Sequence, residues 1–360
     1  MNRRERMRRC YFNEEIDRPA VFSRILFPPN DPSYDKLKAY LDAHSELKLT
    51  WDATKLQTPY PTDVSTAPYS DAFERRIEVV HTPKGDLRKS TFISLKNQPP
   101  MHETYLLNNP EDAEKYLSLP FPKVGGDVSG FFAAEKTVGD KGIVNIFLGV
   151  NPGGMIASLF GTENFAIMSA MERDLIHTLC EREKKILTSL VKFLISKKIG
   201  PYFGMEGEEL IVPPLHGPVD SQDFNVRYDK PVIDLVHNAG GRMHIHCHAS
   251  IKKVLPGFVE MGVDVLHPFE APPMGDVTPK EAKEIIRNKM CYEGNLQINR
   301  MYEFKPQDIA EEVKLLIADV FDDHKGLIVS PTASPYIFGA GEICFPQYKA
   351  MIDTVLAYKG

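Results

Sequence analysis

The chain lacks a cysteine framework. Its five cysteines, Cys10, Cys180, Cys247, Cys291 and Cys344, are an odd number scattered over 360 residues. That spacing excludes a disulfide-stapled secreted scaffold and suits reduced thiols, so a cytoplasmic location is expected. No apolar run approaches the roughly 18 residues that a membrane span needs. The charged opening MNRRERMRR has no apolar segment of the kind a secretory signal carries. Positive charge is not in excess either: the net charge is −6, which leaves no global field to recruit nucleic acid or a membrane surface. The one basic run, Arg3 to Arg9, reads as a solvated first helical turn. A phosphate-binding glycine fingerprint, an internal repeat and a low-complexity linker are all missing, so a single domain over 1–360 is expected.

What is present is a composition of 42% hydrophobic and 26% charged residues, enough to bury a large core. From Gly142 onward, apolar strand-like runs alternate with amphipathic helical stretches. GIVNIFLGV (142–150) reads as a buried strand closed by NPGG, and a long helix follows over 169–198. PYFGM (201–205), RMHIHCH (242–248), VDVLHPF (263–269), MCYEGN (290–295) and GLIVSP (326–331) continue the strands. Helices lie between them, one opening on Thr278 as N-cap with Pro279 at the first helical position. Repeated strand–helix units imply parallel strands, because each parallel return needs a crossover. The expected fold is α/β, a (β/α)8 TIM barrel. Residues 1–140 supply an irregular helical and hairpin decoration, with a hairpin over 76–95 and Pro-rich loops at 28–37 and 58–71.

In such barrels functional groups sit at the C-terminal ends of the strands. His244, His246 and His248 fall at i, i+2 and i+4 and share a face if the strand is regular, with Cys247 turned toward the helices. His246 and His248, with Cα atoms roughly 6.5–7 Å apart, can converge on one ion. Neighbouring strands must complete such a site. Glu206 follows the preceding strand, with Glu208 and Glu209 reading as a solvated loop behind it. His267 and Glu270 end the next strand, Asn295 and Gln297 the one after, and Ser330 and Thr332 the last. His246, Glu206 and Glu270 are therefore the expected catalytic groups, and His246, His248, Glu270 and Glu206 the expected metal ligands. Asn295, Gln297, Ser330 and Thr332 are expected to line the cofactor or substrate space. The same groups without a metal would still form a polar pocket for anionic ligands. Glycines 153 and 154 of NPGG would permit a ligand to approach closely.

Several stretches resemble the uroporphyrinogen decarboxylase superfamily. RRERMRRCYFNEEIDRPAVF is similar to its opening helix and Asp-Arg-Pro entry, and HIHCHAS, EMGVDVLHP, CYEGNLQ and GLIVSPTASPY follow its order through the later strands. The resemblance implies a (β/α)8 barrel and one of two chemistries, decarboxylation or methyl transfer between corrinoid proteins and thiols. The decarboxylase Arg-Gln-Ala-Gly-Arg-Tyr motif is replaced by FSRILFPPNDP, with only Arg24. SPTASP stands where a Gly-His-Gly element is usual. The methyltransferases hold zinc with a His-x-Cys pair and a last-strand Cys. Here His248 stands where that first Cys would be, and Thr332 or Ala333 where the last would be.

Three readings follow. The leading one is a metal-assisted methyltransferase, with zinc on a His/Glu set, a thiol or hydroxyl acceptor and a corrinoid delivered by a partner protein. The second is a decarboxylase acting on a carboxylated ligand, with His246 as proton donor and Arg24 or Arg242 as the cationic grip. The third is a non-catalytic binder of a corrinoid or small acid. A homodimer is expected because relatives often pair.

Overall fold

The later strands are apolar almost without interruption because parallel strands in a helix-wrapped sheet are buried on both faces. The computed structural model describes residues 1–95 and 100–359, and in it every residue of Cys291–Leu296 and of Leu327–Pro331 is buried. In chain order the strands are β1 (Ala20–Val21), β2 (Leu47–Asp52), β3 (Thr62–Pro68), β4 (Phe73–Thr82), β5 (Gly85–Ser94) and β6 (Met101–Thr104). They continue as β7 (Gly142–Val150), β8 (Tyr202–Glu206), β9 (Arg242–His246), β10 (Val265–His267), β11 (Cys291–Leu296) and β12 (Leu327–Pro331).

Eight of these form one parallel sheet in the order β1-β12-β11-β10-β9-β8-β7-β2. The sheet curls strongly. Lys48 on the edge strand β2 reaches Glu293 on β11 at 2.6 Å, a distance that a flat sheet of this order forbids. The two edges also meet at Glu46, whose N–H donates to Val21 O at 3.0 Å and whose carboxylate accepts from Val21 N at 2.7 Å. No strand ladder joins β1 to β2 among the described residues. The fold is α/β and barrel-like, as expected from the strand–helix alternation.

The helices between strands pack their apolar stripes onto this sheet. The long amphipathic stretch is divided: Thr162–Met171 ends at Glu172, and Arg173–Ser196 begins anew, burying Ile176, Leu179, Ile186, Leu190 and Leu194. Thr278 caps the helix Pro279–Ile286 in a full capping box with Glu281.

The N-terminal decoration departs from the sequence reading in three ways. The Pro-rich stretch read as a loop contains β3, an exposed edge strand paired along its length with β4. With β4, β5 and β6 it makes a four-stranded antiparallel sheet, so the hairpin is half of a larger element. Val80 and Leu87 from that sheet join a second apolar cluster with Tyr116, Phe160 and Leu179. The basic run is paired with acids rather than free, and only partly solvated. It opens the helix Arg3–Tyr11, where Arg6 is buried between Asp17 and Glu46 at 2.8 and 2.7 Å, and Arg8 is paired with Glu5 and Glu14. Acids from Asp17 and Glu46, far along the chain, neutralise what looked like a free basic face.

No helix among the described residues is long and apolar enough to cross a membrane.

Candidate active site

β9 ends at His246, and its register sets His246 beside Glu206 on β8 and His267 on β10. All three thus stand at the C-terminal rim. His248 lies beyond the strand, so the strict alternation expected for it does not hold, yet the chain bends it back to within 4.7 Å of the His246 ring. Cys247 is buried as expected, and burial pushes its thiol well above the ordinary range. Cys344 is buried in the helix Gly341–Leu356, its thiol near Gly341 O, which places it in the packing of that helix.

The expected metal set divides into two groups. His248 Nδ1 pairs with Glu270 Oε2 at 3.2 Å, and the same carboxylate oxygen accepts from Ala249 N at 3.2 Å. Burial works to raise the Glu270 carboxyl, but His248, the Ala249 N–H and Gln297 outweigh it and hold it below the usual range. His246 instead faces Arg24, whose Nη1 lies 2.9 and 3.0 Å from its two ring nitrogens, and His267, whose Nδ1 lies 2.8 Å from its own Nδ1. A guanidinium held against that ring places a positive charge where a divalent cation would have to bind, and the two charges repel. Glu206 is half-buried, and no hydrogen bond or ion pair engages its carboxylate among the described residues. Accordingly, no group of three or more His, Cys, Asp or Glu side chains among the described residues is arranged to hold a metal ion. The four residues as placed do not fit a shared metal; only His248 and Glu270 keep a geometry of ligand type.

Burial, the neighbouring His267 and the Arg24 charge together drive the His246 pKa far down, so the ring is neutral. His267 is fully buried and neutral for the same first reason. Beneath them His244, pushed down to about 4 by burial and by Lys48, sits 3.5 Å from Glu293. Lys48 holds Glu293 ionised despite its burial. The interior therefore carries one ion pair and a ladder of neutral imidazoles that rises to Arg24 at the rim.

The expected lining residues differ in what they can offer. Asn295 Nδ2 is committed to Phe269 O at 2.9 Å, and Thr332 Oγ1 accepts from Ile298 N at 3.2 Å. Both tie loops together. Ser330 Oγ is buried with no hydrogen-bond partner among the described residues and remains available, whereas Gln297 is turned toward the Glu270 carboxylate. Arg242 starts β9, at the opposite end from His246; it pairs with Asp264 at 3.2 Å and covers the Phe12 ring at 4.0 Å. It cannot grip a ligand at the rim.

Glu208, read as solvated, is completely buried, and Glu209 is half-buried. Burial and the nearby Asp229 raise the Glu208 carboxyl well above its ordinary range. The glycines of NPGG admit protein rather than ligand: a Cβ on Gly153 would stand 2.4 Å from Phe224 O, and one on Gly154 2.4 Å from Gly207 O.

The family model for uroporphyrinogen decarboxylase matches residues 100–336, well over half of the chain. The chain belongs to the uroporphyrinogen decarboxylase family. No curated protein matches it. Among solved structures it is similar in fold to a methyltransferase from Methanosarcina mazei, with a TM-score of 0.62, 12% identity and 98% of each chain covered. A B12-independent methionine synthase from Shewanella sp. W3-18-1 is more distant, with a TM-score of 0.46 and 12% identity over 78% of this chain and 74% of that one. The family's members and these neighbours are enzymes, and the rim just described lies where a barrel-like fold carries its chemistry.

Two features of this rim had only faint signals in the sequence. Arg24 was the sole arginine left where the decarboxylase motif would be, and it lands on His246. The Lys48–Glu293 pair was hidden, because β2 reads poorly as a strand and Glu293 stands alone among apolar neighbours in CYEGNL.

Proposed function

We propose that the chain is a carboxy-lyase type enzyme acting on a small molecule with more than one acid group. The observation that carries this reading is Arg24 Nη1 standing 2.9 Å from the neutral His246 ring at the strand-end rim. A guanidinium binds carboxylates through a planar fork. Grip on the carboxylate that departs would stabilise the ground state and slow its loss. The group held by Arg24 is therefore a second, non-reacting acid. Loss of CO2 leaves an electron pair on carbon that must take a proton. An anion against Arg24 cancels part of the positive field that keeps His246 neutral, so His246 gains proton affinity when substrate is present and can supply that proton. Uroporphyrinogen itself is not the expected substrate, since a single Arg24 replaces the arginine-rich motif.

Calorimetric titration with a panel of small di- and tricarboxylates tests the reading, alongside release of labelled CO2 from those that bind. Arg24→Gln should weaken binding by about tenfold or more, while Arg242→Gln should leave it unchanged. Carboxylate binding that survives Arg24→Gln intact would sink the proposal.

A second reading, methyl transfer from a corrinoid held by a partner protein to a thiol or hydroxyl, is favoured by the 3.2 Å His248–Glu270 pair at the same rim. Imidazole and carboxylate are both zinc ligand types, and zinc there would supply Lewis acidity to the acceptor. Stoichiometric zinc in the purified protein, lost in His248→Ala, would favour this reading over the first.

A further inference from the structure

We propose that His267 is a positioning residue that locks His246 in its Nδ1–H tautomer, leaving the Nε2 lone pair bare at the rim. Donors and acceptors alternate along a single chain of contacts. It begins at Pro331, whose carbonyl oxygen lies 3.0 Å from His267 Nε2. A carbonyl only accepts, so His267 Nε2 carries a proton. His267 is completely buried, with no carboxylate bonded to it among the described residues, and stays neutral. Its Nδ1 is then bare.

That bare nitrogen faces His246 Nδ1 at 2.8 Å. One of the two must donate, and only His246 can. The rings lie 5.0 Å apart between centroids and 23° from parallel, the near-coplanar, edge-to-edge arrangement that an N–H···N bond requires. Strand pairing holds them there, because His246 and His267 are direct neighbours in the β9–β10 register. With its proton on Nδ1, the neutral His246 ring has its lone pair on Nε2. Arg24 Nη1 lies almost equally far from both ring nitrogens, 3.0 Å from Nε2 and 2.9 Å from Nδ1, which sets its charge against the ring rather than along either nitrogen's lone pair.

The opposite tautomer fails at His267, where the Nδ1 lone pair of His246 would meet the bare Nδ1 lone pair of His267 at 2.8 Å. A repulsion replaces a hydrogen bond. The lock runs from Pro331 through His267 to His246, and it decides which ring nitrogen meets substrate. An acid group bound by Arg24 offsets the positive charge held against the ring, while the Nε2 lone pair stays free at the rim. The Nδ1–H bond to His267 then keeps the ring oriented while Nε2 takes or gives a proton. This catalytic use rests on the acid–base role proposed above; the tautomer itself does not.

Long-range ring 15N–1H spectra of protein carrying 15N-labelled histidine read the tautomers directly, with His246 and His267 assigned by the peaks lost in His246→Gln and His267→Leu. Two neutral rings of opposite tautomer are expected, Nδ1–H for His246 and Nε2–H for His267. In folded His267→Leu, the single His246 tautomer should give way to a mixture. An Nε2–H or mixed signal for His246 in the unaltered protein overturns the lock without requiring any variant to fold. A pure Nδ1–H signal that persists in His267→Leu overturns the role of His267. Neither spectrum depends on a ligand, so carboxylates that fail to bind would refute the function while leaving the lock standing.

Discussion

Lys48 and Glu293 meet inside the curled sheet, the ammonium 2.6 Å from one carboxylate oxygen and 2.7 Å from the other. They come from β2 and β11, which are separated by four strands in the ladder. Both are buried, so each charge has lost most of its water and depends on the other. Removing one partner of such a pair typically costs about 3–5 kcal/mol, because a buried charge is left uncompensated. Lys48→Met is expected to fall in that range in urea unfolding. The double variant Lys48→Met with Glu293→Gln should recover most of the loss, since no net charge is then stranded. A Lys48→Met cost within about 0.5 kcal/mol, the range of ordinary surface changes, would show that the pair does not hold the sheet in its curl.

That pair also marks how far the sequence could be read. β7, β10 and β12 were legible because both of their faces are buried, which writes them as nearly continuous apolar runs, and β8, β9 and β11 because short runs of buried residues recur between helical stretches. β2 was not, since Lys48 and Asp52 interrupt its pattern, and β3 was mistaken for a loop because an exposed edge strand carries polar residues and prolines. His246 and Glu270 were found at the rim by strand-end logic alone. His248 was misplaced in detail because alternation stops where β9 stops. The partnership of Arg24 with His246 joins residues more than two hundred positions apart, and no local period encodes such a contact. Glu208 failed for a different reason: charge ordinarily means solvent, and only the packing of Asn225 and Asp229 around it reveals a buried acid.

Gly154 supports the rim from below. Its absent side chain leaves room for the Asn151 carboxamide, which accepts from Gly154 N at 2.9 Å and donates to Asn225 and Asp229 at 3.0 and 2.9 Å. The Asn151 backbone N–H in turn holds Glu206 O at 2.7 Å. A methyl group on Gly154 would stand 2.3 Å from Asn151 Oδ1 and 2.4 Å from Gly207 O. Neither neighbour is the loose end of a flexible chain, so the backbone beside Glu206 must shift. Gly154→Ala is expected to destabilise by about 3 kcal/mol, at the upper end for overpacking. Gly125→Ala, with nothing within 4 Å of the new Cβ, should stay within about 0.5 kcal/mol. Equal unfolding midpoints for the two variants would contradict this account.

Glu183 gives the fold a pH dependence that can be isolated. Its carboxyl is buried on the helix Arg173–Ser196, accepts a hydrogen bond from Tyr116 Oη at 2.9 Å, and has Arg182 beside it. Burial is the largest influence and pushes its pKa from 4.5 up to about 7, against the opposing pull of Tyr116 and Arg182. A group whose folded pKa is raised binds its proton more tightly folded than unfolded. Its contribution to stability is therefore complete below pH 4.5 and disappears as pH climbs through about 7. A rise of that size corresponds to roughly 3 kcal/mol. Glu183→Gln keeps an acceptor for Tyr116 and cannot ionise, so it should match the unaltered protein at low pH. Its advantage should then grow to roughly 3 kcal/mol by about pH 8. Taking the difference between the two proteins in urea unfolding at each pH cancels every other titrating group. A difference that stays flat from acid to neutral pH would mean that Glu183 is already ionised and stabilised inside the fold, and that Tyr116 and Arg182 outweigh its burial.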